Sequence, residues 1–206
     1  MTRATFITLD GIDGVGKSTQ ISRLMDHLAD QGHEPLLVRD PGTTKIGVKL
    51  REILLKSNLE LHRRTEAMLF MASRCEMVET VLRPALESGK TVISDRFLLA
   101  NVVYQSVGGD VPAESLWEMG RLANGGLTPD LTLLLDMPAA RSMERLGNEA
   151  DRMERRGVQY MEAVRQAFLK QLPQSSQATA VIDADQSPQQ VSHDMLEIVD
   201  RLLKQS

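Results

Sequence analysis

The chain has 206 residues, 42% of them hydrophobic and 25% charged, which excludes a disordered segment or a bundle of membrane spans. A formal net charge of −4 excludes coating nucleic acid through overall charge and leaves only a focused basic cleft for drawing in phosphates, so no nucleic-acid partner is expected. The single cysteine, Cys75, excludes an intrachain disulfide or a cysteine-based zinc cluster.

The length suits one domain over residues 1–206, and the lone cysteine suits a reducing, cytoplasmic setting. "ATFITL" (residues 4–9) is apolar, rich in β-branched residues and without polar alternation, as in a strand buried on both faces. It is too short for a signal-peptide core or a membrane span. A glycine loop follows, and then Ile21, Leu24, Met25 and Leu28 recur at helical spacing up to a stop at Gly32. "EPLLVRD" predicts a second strand, "PGTT" a break and "KIGVKLREILL" a helix. The β-α-β-α alternation predicts an α/β fold, a five-stranded parallel sheet with helices on both faces.

A long helical pattern runs from Arg63 to Glu87, apolar at Met68, Met71, Ala72, Cys75, Val78 and Leu82, with a kink expected at Pro84. "KTVISDRF" predicts a buried strand ending at Asp95, and Trp117, Met119 and Leu122 a helix that stops at Gly125 and Gly126. "PDLTLLLDMP" is a further buried strand, followed by a helix over 139–146. The charged stretch "GNEADRMERRG" breaks apolar periodicity and is expected to be an exposed loop or lid at about 147–157. "ATAVIDAD" predicts the fifth strand, and residues 191–203 a closing amphipathic helix.

Gly11 to Ser18, "GIDGVGKS", satisfies the phosphate-loop pattern G-x-x-x-x-G-K-[ST] between a strand and a helix. Backbone N–H groups of such a loop and the positive end of the next helix cradle phosphates; Lys17 would reach the β- and γ-phosphates and the Ser18 hydroxyl would bind Mg²⁺. A dinucleotide-binding loop, with Asp40 as its ribose-binding acid, is the nearest rival, but the G-x-G-x-x-G spacing is absent. Asp95 ends a predicted strand where a second carboxylate is needed near that Mg²⁺, usually through water, and could instead cap the next helix. Arg96 beside it offers a guanidinium fork for phosphate. Phe70 and Arg74 are four apart on one helix face and together could stack on a flat base and donate to it, though each alone would read as a core and a surface residue. The same holds for Tyr104 and Gln105. Arg152, Arg155 and Arg156 are either a solvated face or the movable positive charge of a closing lid, which would supply an arginine that the loop's Gly14-Val15 lacks.

In order and kind, these motifs resemble the thymidylate kinase (dTMP kinase) family, bacterial type, of the P-loop nucleoside monophosphate kinases. The resemblance runs from Phe6 to about Leu169 through "DGIDGVGKST", "RDPGTTKIGVKLREILL", "AMLFMASR", "SDRFLLANVVYQ", "GGLTPDLTLLLD" and "DRMERRG". It implies transfer of the γ-phosphoryl of MgATP to dTMP, giving dTDP for dTTP synthesis, by a homodimer that pairs through the apolar Met68 to Val78 face. ATP would lie on Gly11, Asp13, Gly14, Val15, Gly16, Lys17, Ser18 and Thr19, and Mg²⁺ on Ser18 and Asp95, the latter through water. For dTMP, the resemblance implies Asp13 near the sugar or phosphate, Pro41 in the pocket wall, Phe70 stacked on thymine and Arg74 on its oxygen edge. Arg96 would hold the acceptor phosphate, Asn101 and Gln105 would face the base, and Tyr104 would pack under the deoxyribose where a 2′-hydroxyl would clash. Lys17, Arg96, Arg152 and Asp13 would carry catalysis. Asp40, Thr43, Phe97 and Ala100 depart from the family's common glutamate, glycine, tyrosine and serine; none of these changes removes a donor-side phosphate ligand. Two other readings remain at this point: a kinase for another (deoxy)nucleoside monophosphate, such as dUMP or dGMP, and a P-loop switch that binds nucleotide to control a partner.

Overall fold

The computed structural model describes residues 4–109, 111–146 and 157–204. Five strands, β1 (Phe6–Asp10), β2 (Pro35–Arg39), β3 (Thr91–Asp95), β4 (Leu131–Asp136) and β5 (Ala178–Asp183), form one sheet in the order β2-β3-β1-β4-β5. Every pairing is parallel. The three central strands, β3, β1 and β4, are buried almost throughout, which is why they read as unbroken apolar runs. The edge strands β2 and β5 stay half open.

The helices are α1 (Lys17–Asp30), α2 (Lys45–Arg51), α3 (Arg63–Met77), α4 (Arg83–Glu87), α5 (Leu98–Ser106), α6 (Ala113–Ala123), α7 (Ala139–Leu146), α8 (Val158–Gln171) and α9 (Pro188–Lys204). From β1 the chain crosses the sheet toward β2, and every later crossover runs the other way. Right-handed crossovers therefore place α1 on one face and the helices that precede β3, β4 and β5 on the other. The packing agrees: α9 lies against α1, while α5 packs on α3, α6 and α8. The reversal beside β1 opens a crevice at the carboxyl ends of β1 and β3, where such folds bind ligands.

The structure departs from the sequence pattern at three places. The helical pattern from Arg63 leaves α-geometry at Val78–Leu82, a wide π-type turn, before the proline; Pro84 then falls in the first turn of α4, where a missing N–H is tolerated. On α3 the buried face carries Glu66, Ser73 and Arg74 beside Ala67, Met71 and Met77, while Met68, Ala72 and Cys75 are exposed. The helix faces a polar cavity, so apolar spacing misplaced its inner side. Leu122, one of the apolar positions that mark α6 in the sequence, is also exposed. Among the described residues, no helix is long and apolar enough to cross a membrane.

Candidate active site

The loop from Gly11 to Gly16 joins β1 to α1 and uses glycine where a side chain cannot fit. A Cβ on Gly11 would lie 2.5 Å from the Leu135 carbonyl oxygen, and Gly14, at φ 82°, would drive one into the Ser142 carbonyl. Gly16, left-handed at φ 95°, is the N-cap of α1. Lys17 Nζ folds back on this loop, donating to the carbonyls of Gly11 (3.0 Å) and Ile12 (2.8 Å) and to Asp13 Oδ1 (3.3 Å). Burial, helped by the neighbouring Arg96 cation, pushes the Lys17 ammonium down to about 8.

Arg96, the first residue after β3, has φ 69°, a left-handed backbone that costs a non-glycine residue ~1–3 kcal/mol and persists only where surrounding contacts impose it. Here Arg96 N donates to Leu9 O at 3.0 Å, and the Ser94 hydroxyl donates to Arg96 O. The twist turns the guanidinium inward, where Nη2 donates to Asp13 Oδ1 at 2.5 Å and Nη1 to Gly11 O at 3.1 Å. Its Cζ lies 5.1 Å from the Tyr104 ring centroid, and the Tyr104 hydroxyl donates to Asp13 Oδ2 at 3.4 Å. Burial pushes the Asp13 carboxyl up, but Arg96 and Lys17 outweigh it and hold the group well below the usual carboxylate range. Asp10, wholly buried at the end of β1, has both carboxylate oxygens without a hydrogen-bond partner among the described residues, and burial raises it to about 6 against the pull of Arg96 and Lys17.

Two cavities open from this cluster, and Asp13, Asp40, Arg51 and Arg96 line both. The first continues over Gly14, Gly16, Lys17, Ser18, Thr19 and Asp95. Among the residues expected on ATP, Val15 buries its side chain in the core, and the Gly11 carbonyl accepts from Lys17 and Arg96. Asp95 does not cap α5, whose N-cap is Phe97 without a side-chain bond; its Oδ2 accepts from Arg39 Nε at 2.9 Å.

The second cavity gathers Pro41, Phe70, Arg74, Asn101, Tyr104 and Gln105, every remaining residue expected on the acceptor. Arg74, far from being a surface residue, is 1% exposed. Its Nε donates to Asp40 Oδ2 at 2.6 Å, Nη1 to Met71 Sδ at 3.2 Å and Asn101 Oδ1 at 3.4 Å, and Nη2 to Phe97 O at 3.3 Å. Burial raises the Asp40 carboxyl despite Arg74. Asn101 Nδ2 and both amide atoms of Gln105 have no hydrogen-bond partner among the described residues, so this wall presents a buried acceptor and donors. The departures find places here. Thr43 Oγ1 accepts from Arg39 N at 2.7 Å and donates to Arg39 O at 2.9 Å, closing the turn that a glycine would leave loose. Phe97 packs edge-on to Phe6 beneath Arg74, and Ala100 lines the wall.

Sequence reasoning missed Arg39, Arg51 and Arg145, all of which line the first cavity. The position of Arg39 at the carboxyl end of a parallel strand was a usable signal; Arg51, which donates to Pro41 O at 2.9 Å, had none nearby. Arg152, Arg155 and Arg156 lie outside the described residues. The flanks of their segment are fastened together: Arg165 of α8 grips Asp136 at the end of β4 with two 2.7 Å bonds, and Glu162 accepts from Ala139 N at the start of α7.

Comparison with known proteins points the same way. The family model described as Thymidylate kinase matches residues 9–195. A "Thymidylate kinase" of Rhodopirellula baltica is 66% identical over 186 residues, 90% of this chain and 76% of that protein. Proteins of the same name from Symbiobacterium thermophilum and Nitrosomonas eutropha are each 40% identical, over 97% and 98% of this chain and 94% of their own lengths. A phosphate loop facing an aromatic and amide-lined cavity, in a chain this similar over nearly its whole length, belongs to the thymidylate kinase family.

Proposed function

We propose that the chain transfers the γ-phosphoryl group of MgATP to dTMP, giving ADP and dTDP. The observation that carries this reading is the joint between the two cavities: Asp13 and Arg96, bonded to each other, line both. A donor phosphate on the glycine loop and an acceptor phosphate at Arg96 would meet there. In-line positioning and fixed positive charge then account for the catalysis without a covalent nucleophile.

Lys17 leaves the loop carbonyls for the donor phosphates and, with Arg152, stabilises charge on the transferring oxygens, while Arg96 and Arg51 hold the acceptor phosphate. Phe70 stacks on the base, Arg74 holds Asp40 and Asn101 in place around its edge, and Asn101 and Gln105 supply hydrogen bonds. Tyr104, beneath the sugar, favours a deoxyribose. Ser18 and Asp95 line one cavity with the phosphate loop, and one hydroxyl and one carboxylate suit Mg²⁺, which takes its other ligands from water and substrate phosphates. Bound there, Mg²⁺ would neutralise charge on the donor phosphates.

The setting is cytoplasmic and the assembly a homodimer. The exposed Met68, Ala72 and Cys75 lie on one face of α3, at the spacing of a helix-packing seam. Sedimentation should give twice the chain mass, and Met68→Asp should shift it toward the monomer.

Coupled ADP release from ATP with dTMP, dUMP or dGMP, against ATP alone, tests the activity. dTMP should give the highest kcat/KM. A rate with dTMP no greater than the ATP-only background would reject the reading in favour of a nucleotide-binding switch, and a preference for another acceptor would reassign the substrate.

A further inference from the structure

Arg39 and Asp95 are direct neighbours in the parallel register of β2 and β3, so their pairing is built into the sheet. The Arg39 side chain is 54% exposed and Asp95 13%, with 2.9 Å between Nε and Oδ2. Thr43 clamps the Arg39 backbone from both sides, which fixes where the side chain starts. Both residues line the cavity that holds Lys17 and Ser18. An unpaired Asp95 would set a negative charge in the path of an incoming polyphosphate, and an arginine on it removes that repulsion. The same oxygen cannot serve both the arginine and the water shell of a divalent cation at full strength.

We propose that Arg39 is a positioning residue for the metal side of the reaction: it holds Asp95 until the divalent cation arrives, and the cation enters by displacing the Arg39 guanidinium from Asp95 Oδ2. This rests on the reading of Ser18 and Asp95 as the metal-side pair. The released guanidinium stays in a cavity shared with Arg51 and Arg96, where it adds to the positive charge facing the phosphates. Arg39 thus exchanges one anionic partner for another as the cleft fills.

Mn²⁺ is the probe, with free Mn²⁺ followed by electron paramagnetic resonance at saturating ADP in the full chain. Arg39→Ala, a change at a half-exposed side chain, should tighten Mn²⁺ binding about two- to fivefold, the size expected for loss of a competing ion pair. Arg39→Lys should fall between the variant and the parent, and in an Asp95→Asn background Arg39→Ala should have no effect. Unchanged or weaker Mn²⁺ binding in Arg39→Ala would overturn the proposal. So would equal tightening in the Asp95→Asn background, which would mean a general loss of positive charge and not release of Asp95. If Arg39→Ala weakens ADP binding in EDTA while Mn²⁺ affinity at saturating ADP is unmoved, Arg39 is a phosphate ligand, and the proposal falls while the metal-side reading stands. Should Asp95→Asn alone leave Mn²⁺ affinity intact, both fall.

Discussion

The two cavities that meet at Asp13 and Arg96 are built on opposite principles. The donor side is backbone and loosely held charge: glycines shaped for close approach, a lysine resting on carbonyls it can leave, and a half-exposed arginine on Asp95. The acceptor side is a buried side-chain frame, with Arg74 bonded to Asp40, Met71, Asn101 and Phe97 and almost no solvent contact. Phosphates can be bound by almost any concave array of N–H groups and cations, whereas a flat base is discriminated only by polar atoms already fixed in position. The contrast therefore predicts that acceptor-side substitutions cost folding stability and that donor-side ones cost rate.

Asp40→Ala should show the largest effect. Removing one partner of a buried pair leaves an uncompensated guanidinium and typically costs ~3–5 kcal/mol. Urea unfolding should register that loss, and Asp40→Ala with Arg74→Met should regain most of it, because the orphaned charge is gone. An Asp40→Ala variant as stable as the parent would mean that the acceptor wall is not a rigid frame.

Lys17→Met should behave in the opposite way. Loss of one preorganised charge at the transferring group should lower kcat by about 10²- to 10³-fold. The unfolding free energy should move by less than ~1 kcal/mol, since burial already disfavours the Lys17 charge. The same depression to about 8 has a pH consequence. The ammonium carries its proton below that value and loses it above, so kcat/KM for ATP, which reports the free enzyme, should fall as pH rises through about 8. Bound phosphates favour the charged form, so kcat itself should hold to higher pH. Parallel decline of both would remove Lys17 from the donor site.

The same division decides what could be read in the sequence. The donor loop was legible because its chemistry is local: spaced glycines, a lysine and a serine between one strand and one helix. So was the parallel sheet, whose buried strands are continuous apolar runs. The acceptor frame depends on contacts between distant segments, Asp40 with Arg74 and Arg96 with Asp13, and no local pattern predicts them. The family resemblance named those residues, but it did not show Arg74 as a buried hub or Arg51 at the joint of both cavities. Nor did it show the left-handed Arg96 that aims the guanidinium. Helical periodicity misled on α3 because that helix turns a polar face inward, toward a cavity that sequence alone does not reveal.

Asp10 belongs to neither side, and it supplies the smallest and sharpest test. It lies beneath the phosphate loop, neighbouring Leu134 in the sheet, with both oxygens unbonded among the described residues. Burial raises its carboxyl from 3.8 to about 6, so folding penalises the charged form. Between those two values the folded chain binds a proton that the unfolded chain has released, and stability must fall as pH rises across that window, then level off above about 6. Asp10→Asn removes the charge and leaves the shape. It should therefore stabilise the protein by ~1–2 kcal/mol near neutral pH, less than the pKa difference alone implies because the amide also lacks partners. The gain should shrink as pH falls through that window and vanish below 3.8, where Asp10 is protonated in both states. A variant less stable than the parent near neutral pH would mean that the Asp10 charge supports Arg96 and Lys17 more than burial penalises it. The donor loop would then rest on a rigid ionic base like the acceptor's, and the contrast between the two cavities would narrow.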